Sequence, residues 1–293
     1  MEDQDALLAL AVRLSLLAFM VGSLLDMGLE LRLRDALACL GNRRFLLRVL
    51  GFGFVVGPAL AWAVSKALAL DPSYATGMML IGLTPCAPFL PAMVRRARGD
   101  MRHAAAMMLV AALGTVVVLP VATPLVAAGL TVDAWTVARP ILLLVLLPLL
   151  AGMAIFAAAP RIAAALHPWA KGVGAVAALA LLVLCVVVYG RSMAATFGDR
   201  VVLAEVLFLG LLTLMAYRSG GGLAQRERSV LSLGLCTRNL GAALAPLFAM
   251  DAPDEGAVVA VVLALPVQLV CAAVAAWIFA RGAGEGTTTC RSG

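Results

Sequence analysis

Nine apolar stretches, each 18 to 27 residues long and separated by short polar connections, constrain this chain more than any other feature. A helix needs about 20 apolar residues to cross the hydrocarbon core of a bilayer. The chain of 293 residues is 63% apolar and 13% charged, whereas a soluble domain is about 45–50% apolar and about 25% charged. These proportions exclude a soluble enzyme, a nucleic-acid-binding domain and a disordered chain, so the sequence predicts a polytopic membrane protein.

The stretches are long, continuous and rich in Ala and Leu, which favours helices over the short alternating strands of a β-barrel. We therefore predict an all-α membrane protein with about nine transmembrane helices. Their approximate ranges are 6–29, 45–69, 73–95, 103–129, 134–158, 165–190, 200–217, 229–250 and 256–280.

Basic residues alternate between the two sides of the predicted membrane. With the N-terminus placed outside, the inner loops and tail hold sixteen Lys and Arg residues and the outer loops hold four. This bias is the positive-inside rule, so the net charge of +6 requires no nucleic acid as a partner. We predict a plasma (inner) membrane protein with an outer N-terminus, a cytoplasmic C-terminus and a disordered tail over 282–293.

Cysteine and histidine usage gives no sign of a metal or redox centre. The six cysteines form no Cys-x-x-Cys pair and lie mostly in apolar runs, as small hydrophobic residues do. His103 and His167 lie at the margins of the predicted spans 103–129 and 165–190, and we assign both to the adjoining loops. We predict no cofactor.

The acidic start, Met1–Asp5, lacks the basic segment of a cleavable signal peptide, so the first stretch is predicted to be a retained span.

Two of the nine stretches contain residues that interrupt helices. In Thr84–Pro91, three prolines spaced three residues apart each remove a backbone donor. In Gly234–Gly241, a charge and two polar side chains lie between glycines. Alone, each is equally well explained by a proline-kinked helix or a polar packing cluster, but together they predict a transport site where two broken helices meet. The predicted helix-breaking residues are Pro85, Pro88, Pro91, Gly234 and Gly241.

Three motifs give the chain a family resemblance. Asp26–Leu31 reads Asp-Met-Gly-Leu-Glu-Leu, Arg95–Asp100 reads Arg-Arg-Ala-Arg-Gly-Asp, and Arg238–Leu244 reads Arg-Asn-Leu-Gly-Ala-Ala-Leu. In this order and spacing they resemble the bile acid:sodium symporter family over nearly the whole chain. The resemblance implies an organic-anion transporter built from two inverted repeats, in which a core domain with two crossed broken helices faces a panel domain.

The resemblance also implies how the chain divides. Family members commonly have ten spans, and this chain is similar to them from their second helix onward. One transmembrane domain is expected, with a first repeat over 6–129 that lacks its first helix and a second repeat over 134–281.

The family's sodium ligands are implied at positions that here carry no suitable oxygen. These positions are Gly53, Leu90, Pro91, Ala104, Met108, Gly234 and Arg238. A hard cation needs several oxygen ligands, carboxylates among them. We therefore expect that sodium, although possible from the resemblance, is not coupled through these sites.

Arg238 is the strongest candidate for contact with a solute. A charge at a helix centre costs about 2.5–3.5 kcal/mol on insertion scales, so it should face a cavity or a partner. A guanidinium offers a permanent planar fork for carboxylate, sulfonate or phosphate and would replace a bound cation. The alternative is an internal salt bridge to Glu205 or Asp26.

Further substrate-binding candidates surround the breaks. Thr84, Thr237 and Asn239 are expected either to orient the solute or to cap helices. Arg13 is expected either to line the cavity or to extend to the outer headgroups. Cys86 and Cys236 each lie at one break and open a second possibility, because thiolates bind thiophilic metalloids and the related arsenite efflux family also has a cysteine in its first broken helix.

The favoured function is secondary transport of small organic anions. The alternatives are metalloid efflux through Cys86 and Cys236, and a non-transporting membrane sensor of the same fold. An enzyme is not expected, because the predicted spans hold Asp26 and Glu205 but no histidine to complete a catalytic group.

Overall fold

The structure is a computed structural model that describes residues 2–126, 134–195, 200–248, 250 and 253–285. Within these ranges it is built of helices, and the only β-type pairing is one isolated bridge, so the all-α prediction is confirmed. The helices are α1 (Glu2–Glu30), α2 (Leu33–Cys39), α3 (Arg43–Gly51), α4 (Gly57–Ala67), α5 (Pro72–Gly82), α6 (Leu90–Arg96), α7 (Met101–Val126), α8 (Ala134–Ile141), α9 (Leu147–Ala158), α10 (Pro160–Ala195), α11 (Val201–Ser219), α12 (Gln225–Cys236), α13 (Leu240–Phe248) and α14 (Glu255–Glu285).

Seven helical segments in the described residues are long and apolar enough to cross a membrane. They are Leu10–Glu30, Arg43–Ala67, Met101–Pro124, Ala138–Ala158, Pro160–Val188, Val201–Ser219 and Glu255–Gly282. The predicted spans 73–95 and 229–250 are each divided into two shorter helices, α5 with α6 and α12 with α13. The number nine, which counts each divided pair as one span, stays a prediction.

Three details differ from the predicted boundaries. The short helix α2 lies in a connection that was predicted to be a loop. The helix α14 continues to Glu285, so the predicted disordered tail begins as helix, and 286–293 lie outside the described residues. Both histidines, predicted in loops, lie in helices, His103 in the first turn of α7 and His167 about two turns after the start of α10.

Two of the long spans contain a π-helical turn. The segment Phe52–Val56 joins α3 to α4, and Leu142–Leu146 joins α8 to α9. Each turn is followed by a proline in the first turn of the next helix, Pro58 or Pro148. Proline has no N–H to donate to the preceding turn, so one α-helical hydrogen bond is already missing there. The wider π-helical turn lies at this position.

Small residues let α1 approach its neighbours closely. A Cβ on Gly22 would lie 2.9 Å from the backbone nitrogen of Gly174 in α10, and a Cβ on Gly28 would overlap the carbonyl oxygen of Leu149 in α9. Close backbone approach through glycine is typical of helix packing in membranes. These contacts fix α1 antiparallel to α10, with the end of α1 beside the beginning of α10.

The divided spans lie in the interior. Every residue over 229–236 of α12 and over 240–247 of α13 is buried, whereas α10 and α11 carry many exposed Leu and Val side chains. Helices that are apolar on their outer face as well are typical of contact with lipid. The two interruptions are therefore enclosed by protein, which is where broken backbone is tolerated at membrane depth.

Candidate functional site

The two interruptions pair with each other as a short antiparallel bridge. The backbone N–H of Cys86 donates to the carbonyl of Thr237 at 2.8 Å, and the N–H of Asn239 donates to the carbonyl of Thr84 at 2.8 Å. Pro85 lies opposite Arg238 between these two bonds. Buried backbone groups must find partners, and the crossing provides them for both broken segments.

The first interruption follows from its prolines. Pro85 and Pro88 lie between α5 and α6, where the helical bonding pattern stops. Pro91 instead lies in the first turn of α6, a position that needs no N–H donor.

The second interruption has another local cause. Thr237 takes an extended conformation, with φ −99° and ψ 141°, and 237–239 separate α12 from α13. Gly234 and Gly241 lie inside these helices and not in the interruption. A Cβ on Gly234 would lie 2.6 Å from Met107, and one on Gly241 would lie 2.6 Å from Met20, so both glycines make room for methionine side chains.

The polar side chains at the crossing bond to nearby backbone. The hydroxyl of Thr84 donates to the carbonyl of Leu80 at 3.1 Å. The hydroxyl of Thr237 accepts from the N–H of Ala87 at 3.3 Å. The side chain of Asn239 accepts from the N–H of Ala242 at 3.1 Å and so caps α13. These three residues were expected either to orient the solute or to cap helices. Their observed contacts cap helices and connect the two interruptions.

Cys86 and Cys236 are both buried and free. Cys86 has a φ of +74°, the left-handed region that favours glycine. Neither cysteine lines the cavity described below. Among the described residues, no group of three His, Cys, Asp or Glu side chains is placed to hold a metal ion.

Arg238 lies at the centre of the crossing with 1% of its surface exposed. Its backbone N–H donates to the side-chain oxygen of Gln268 at 2.6 Å. Its NH1 donates to the carbonyl of Gly82, the last residue of α5, at 3.4 Å, where a cation complements the negative end of the helix dipole. The guanidinium carbon lies 5.1 Å from the ring centre of Phe208, within range of a cation–π contact.

The expected alternative, a salt bridge to Glu205 or Asp26, is not present in the part of the chain that the structure describes. Glu205 is 1% exposed, and neither of its carboxylate oxygens has a hydrogen-bond partner there. The Nε and NH2 groups of Arg238 likewise donate to no described protein atom. Among the described residues, neither Glu205 nor Arg238 therefore has a side chain of opposite charge as a partner.

A cavity of about 350 Å³ opens beside the crossing. Its walls come from α1, α6, α10, α13, α14 and both interruptions. Most of the lining is apolar, for example Phe19, Phe89 and Leu265. Arg238 is the one sequence-predicted substrate-binding residue among the lining residues, since Thr84, Cys86, Cys236, Thr237 and Asn239 lie behind the wall. A larger groove between α11 and α14 lies away from the crossing.

Arg13 does not line this cavity. Its side chain is exposed on α1, and the lining of the cavity on that helix begins with Phe19. Of the two roles expected for Arg13, its position agrees with extension to the headgroups.

A cluster of charged side chains lines the end of the cavity far from α13. The Nε2 of His167 lies 3.1 Å from an oxygen of Asp26 and 3.0 Å from an oxygen of Glu30. The other carboxylate oxygen of Glu30 accepts from Arg95 at 2.9 Å. Lys171 lines the same end, one turn after His167 on α10. The cavity thus joins apolar walls to a charged end.

The role of this cluster was missed in the sequence. Asp26, Glu30 and Arg95 were noted only as parts of family motifs, and their convergence with His167 depends on the antiparallel packing of α1 and α10. Gln268, which holds the backbone of Arg238, was also missed. Gln268 could have been found in the sequence, because it is a single amide side chain in the apolar stretch 256–280.

Two broken helices that cross inside a helical bundle, beside a cavity with apolar walls and a charged end, define the class of membrane transporters. The chain belongs to the Sodium Bile acid symporter family, whose profile matches residues 15–196, more than half of the chain. It is therefore an integral membrane protein of a transporter family, for which a small-molecule substrate is implied.

One curated relative is the probable sodium/metabolite cotransporter BASS1 of the chloroplast of Arabidopsis thaliana. It is 33% identical over 131 residues, which cover 44% of this chain and 33% of the relative. The chain thus spans about a third of the length of that relative.

Proposed function

We propose that this protein is a secondary transporter of small organic anions, bound in the cavity beside the crossing and carried without sodium at the family's sites. The observation that carries the proposal is the cavity itself, which combines apolar walls with Arg238 at the crossing and with a charged end, where Arg95 and Lys171 lie beside Asp26 and Glu30. Such a site fits a solute with an apolar body and one anionic group.

Electrostatics at the crossing supports an anion. The first residue of α13, Leu240, lines the cavity, so the positive end of this helix dipole faces it. The guanidinium of Arg238 adds a permanent charge in the surrounding wall. We propose that it acts as a fixed positive charge behind the binding surface.

The surroundings of the crossing support independence from sodium. Ala104, Met108 and Leu90 are buried hydrocarbon or thioether side chains, and none offers an oxygen. The side-chain oxygens of Thr84, Thr237 and Asn239 already bond to backbone groups. A guanidinium beside them repels a second cation.

Three further features belong to the same proposal. The chain forms one transporter domain in which α5–α6 and α12–α13 are the corresponding broken spans of two inverted repeats. The N-terminus lies outside and the C-terminus in the cytoplasm of a plasma membrane. The charged end of the cavity, which holds Arg95 and Lys171, then faces the cytoplasm, in agreement with the distribution of charges in the loops.

Uptake into proteoliposomes tests the proposal. Radiolabelled hexanesulfonate and taurocholate are offered with sodium in one series and with choline in its place in the other, at constant pH. We expect saturable uptake of hexanesulfonate above that of empty liposomes, with equal initial rates in the two series. A saturable sodium dependence would refute the sodium-free mechanism, and absence of uptake of both anions would refute organic-anion transport and favour a sensor.

Metalloid efflux has less support from the geometry, because Cys86 and Cys236 do not line the cavity. Efflux of arsenite from loaded proteoliposomes, lost in Cys86→Ser, would favour it over the present proposal.

A further inference from the structure

His167 occupies an unusual position at the charged end of the cavity. One ring nitrogen, Nε2, lies within 3.1 Å of two carboxylates, Asp26 and Glu30, which are one turn apart on α1. The side chain is partly exposed to the cavity, at 27%. With a proton on Nε2, which faces these two acceptors, a second proton binds the ring at Nδ1.

The cluster has a defined set of charges. Asp26 and Glu30 contribute two negative charges from α1, Arg95 one positive charge from α6, and Lys171 one from α10. The other helices packed near it contribute none, since α9 and α13 carry no ionisable side chain and α14 offers Leu265, Gln268 and Leu269 to the cavity. With a neutral imidazole these four charges sum to zero, and Arg238 adds one positive charge in the wall at the crossing, the other end of the cavity.

This balance determines when an anion can enter. A monoanion whose charged group lies at this end leaves the neutral cluster with one uncompensated negative charge beside apolar walls, which is unfavourable, because Arg238 lies at the opposite end of the cavity. A monoanion added after His167 has bound a proton restores neutrality. The anion and the proton therefore favour each other's binding, and by linkage each raises the other's affinity by the same factor.

We propose that His167 is the proton-binding site of this transporter and that one proton accompanies each organic monoanion. This inference rests on the proposed anion transport and adds its coupling ion. The bond that forms is N–H at Nδ1 of His167, and it breaks again when the cavity opens to the other side. Arg95 binds the second oxygen of Glu30, which holds that carboxylate beside the ring in both protonation states.

The test uses hexanesulfonate, because a sulfonate stays ionised near neutral pH and carries no proton itself. Purified protein is reconstituted into liposomes that contain a pH-sensitive dye, and the anion is added without sodium. We expect internal acidification together with hexanesulfonate uptake, at one proton per anion. We also expect the apparent affinity for the anion to fall by up to about tenfold per pH unit on the alkaline side of the titration.

Variants assign the proton to the residue. His167→Gln keeps an N–H donor for the carboxylates but cannot titrate, so proton movement should disappear and the affinity should become independent of pH. His103→Gln is the matched control, since it removes the other histidine of the chain, which lies outside the cavity lining. It should retain the proton stoichiometry of the wild-type protein. Proton movement that survives in His167→Gln, or is lost instead in Asp26→Asn alone, would overturn the assignment.

The two proposals fail in different ways. Absence of hexanesulfonate and taurocholate uptake by the wild-type protein contradicts the transport function, and the proton site with it. Sodium-independent uptake of hexanesulfonate without acidification leaves the transport function intact and contradicts only the proton site.

Discussion

Gln268 of α14 accepts a hydrogen bond from the backbone N–H of Arg238, with 2.6 Å between the side-chain oxygen and the nitrogen. This N–H lies in the interruption between α12 and α13 and has no helical partner. A buried N–H that loses its acceptor carries its full desolvation cost, about 1–3 kcal/mol. The amide of Gln268 therefore fixes the second interruption to α14.

Gln268→Leu should lower the free energy of unfolding by about 1–3 kcal/mol, because it leaves that N–H unbonded. Thermal unfolding of the detergent-solubilised protein, followed by size-exclusion chromatography, measures the change. Gln225→Leu is the control, since Gln225, the first residue of α12, accepts from the hydroxyl of Tyr217 in a contact that is only partly buried. Equal stability of the two variants would show that the bond to Arg238 contributes little.

Arg238→Gln removes the permanent charge from the wall of the cavity. We expect the affinity for hexanesulfonate to fall about tenfold or more, the equivalent of 1.4 kcal/mol or greater. Arg238→Lys should recover part of this loss, because it restores the charge without the planar fork. The comparison is Arg218→Gln, an arginine at the end of α11 that lies outside the cavity. If Arg238→Gln folds and binds the anion with unchanged affinity, the residue has only a structural role.

Gly174 and Gly172 form a matched pair on α10. A Cβ on Gly174 would lie 2.8 Å from the hydroxyl of Ser23 and 3.0 Å from its backbone nitrogen, whereas a Cβ on Gly172 would meet nothing within 4 Å. Gly174→Ala should push α1 away from α10 and destabilise the protein by about 1–3 kcal/mol. Gly172→Ala should be neutral or stabilising by up to about 1 kcal/mol. Thermal unfolding distinguishes them, and equal effects would show that α1 and α10 can separate without cost.

Asp100 predicts a pH dependence of stability. Burial raises the pKa of its carboxyl, but hydrogen bonds from His103 and from the backbone N–H of Arg102 outweigh it and lower the pKa below the ordinary value of 3.8. A carboxyl whose pKa is lower in the folded state stabilises the protein above its unfolded pKa and loses this effect as the pH falls through the folded pKa.

Asp100→Asn keeps an oxygen that can cap α7 but removes the negative charge beside His103 and the positive end of the helix, so it should destabilise the protein at neutral pH by about 0.3–1 kcal/mol. The difference in melting temperature between wild type and variant should shrink as the pH falls below about 4. A difference that is constant over the whole pH range would show that the ionised form contributes nothing.

The interruptions were predictable in part because their causes are local. Pro85 and Pro88 prevent helix formation wherever they occur, so the first interruption could be read directly. The second was anticipated from its charge and glycines, but it falls at Thr237–Asn239. The glycines could not be assigned to packing from sequence, because the partners Met20 and Met107 come from α1 and α7.

The charged end of the cavity could not be predicted because it depends on the pairing of helices. Asp26 and Glu30 are one turn apart and share a face of α1, which the sequence indicates. Their partner His167 is more than a hundred residues away, and only the antiparallel contact at Gly22 and Gly174 places it opposite them. Arg238 was recognised from its cost in an apolar span, but the direction of its guanidinium depends on the space left by Gly57 and on the carbonyl of Gly82.

The joint between the two interruptions consists of main-chain hydrogen bonds. The bonds from Cys86 to Thr237 and from Asn239 to Thr84 use only N–H and carbonyl groups, which nearly every amino acid supplies. The scaffold of the transporter is therefore separable from its ion chemistry. Side chains around the joint can be exchanged without breaking the crossing, for example an oxygen ligand for a guanidinium or the reverse. Engineering of a different driving ion into this fold can begin at these side chains.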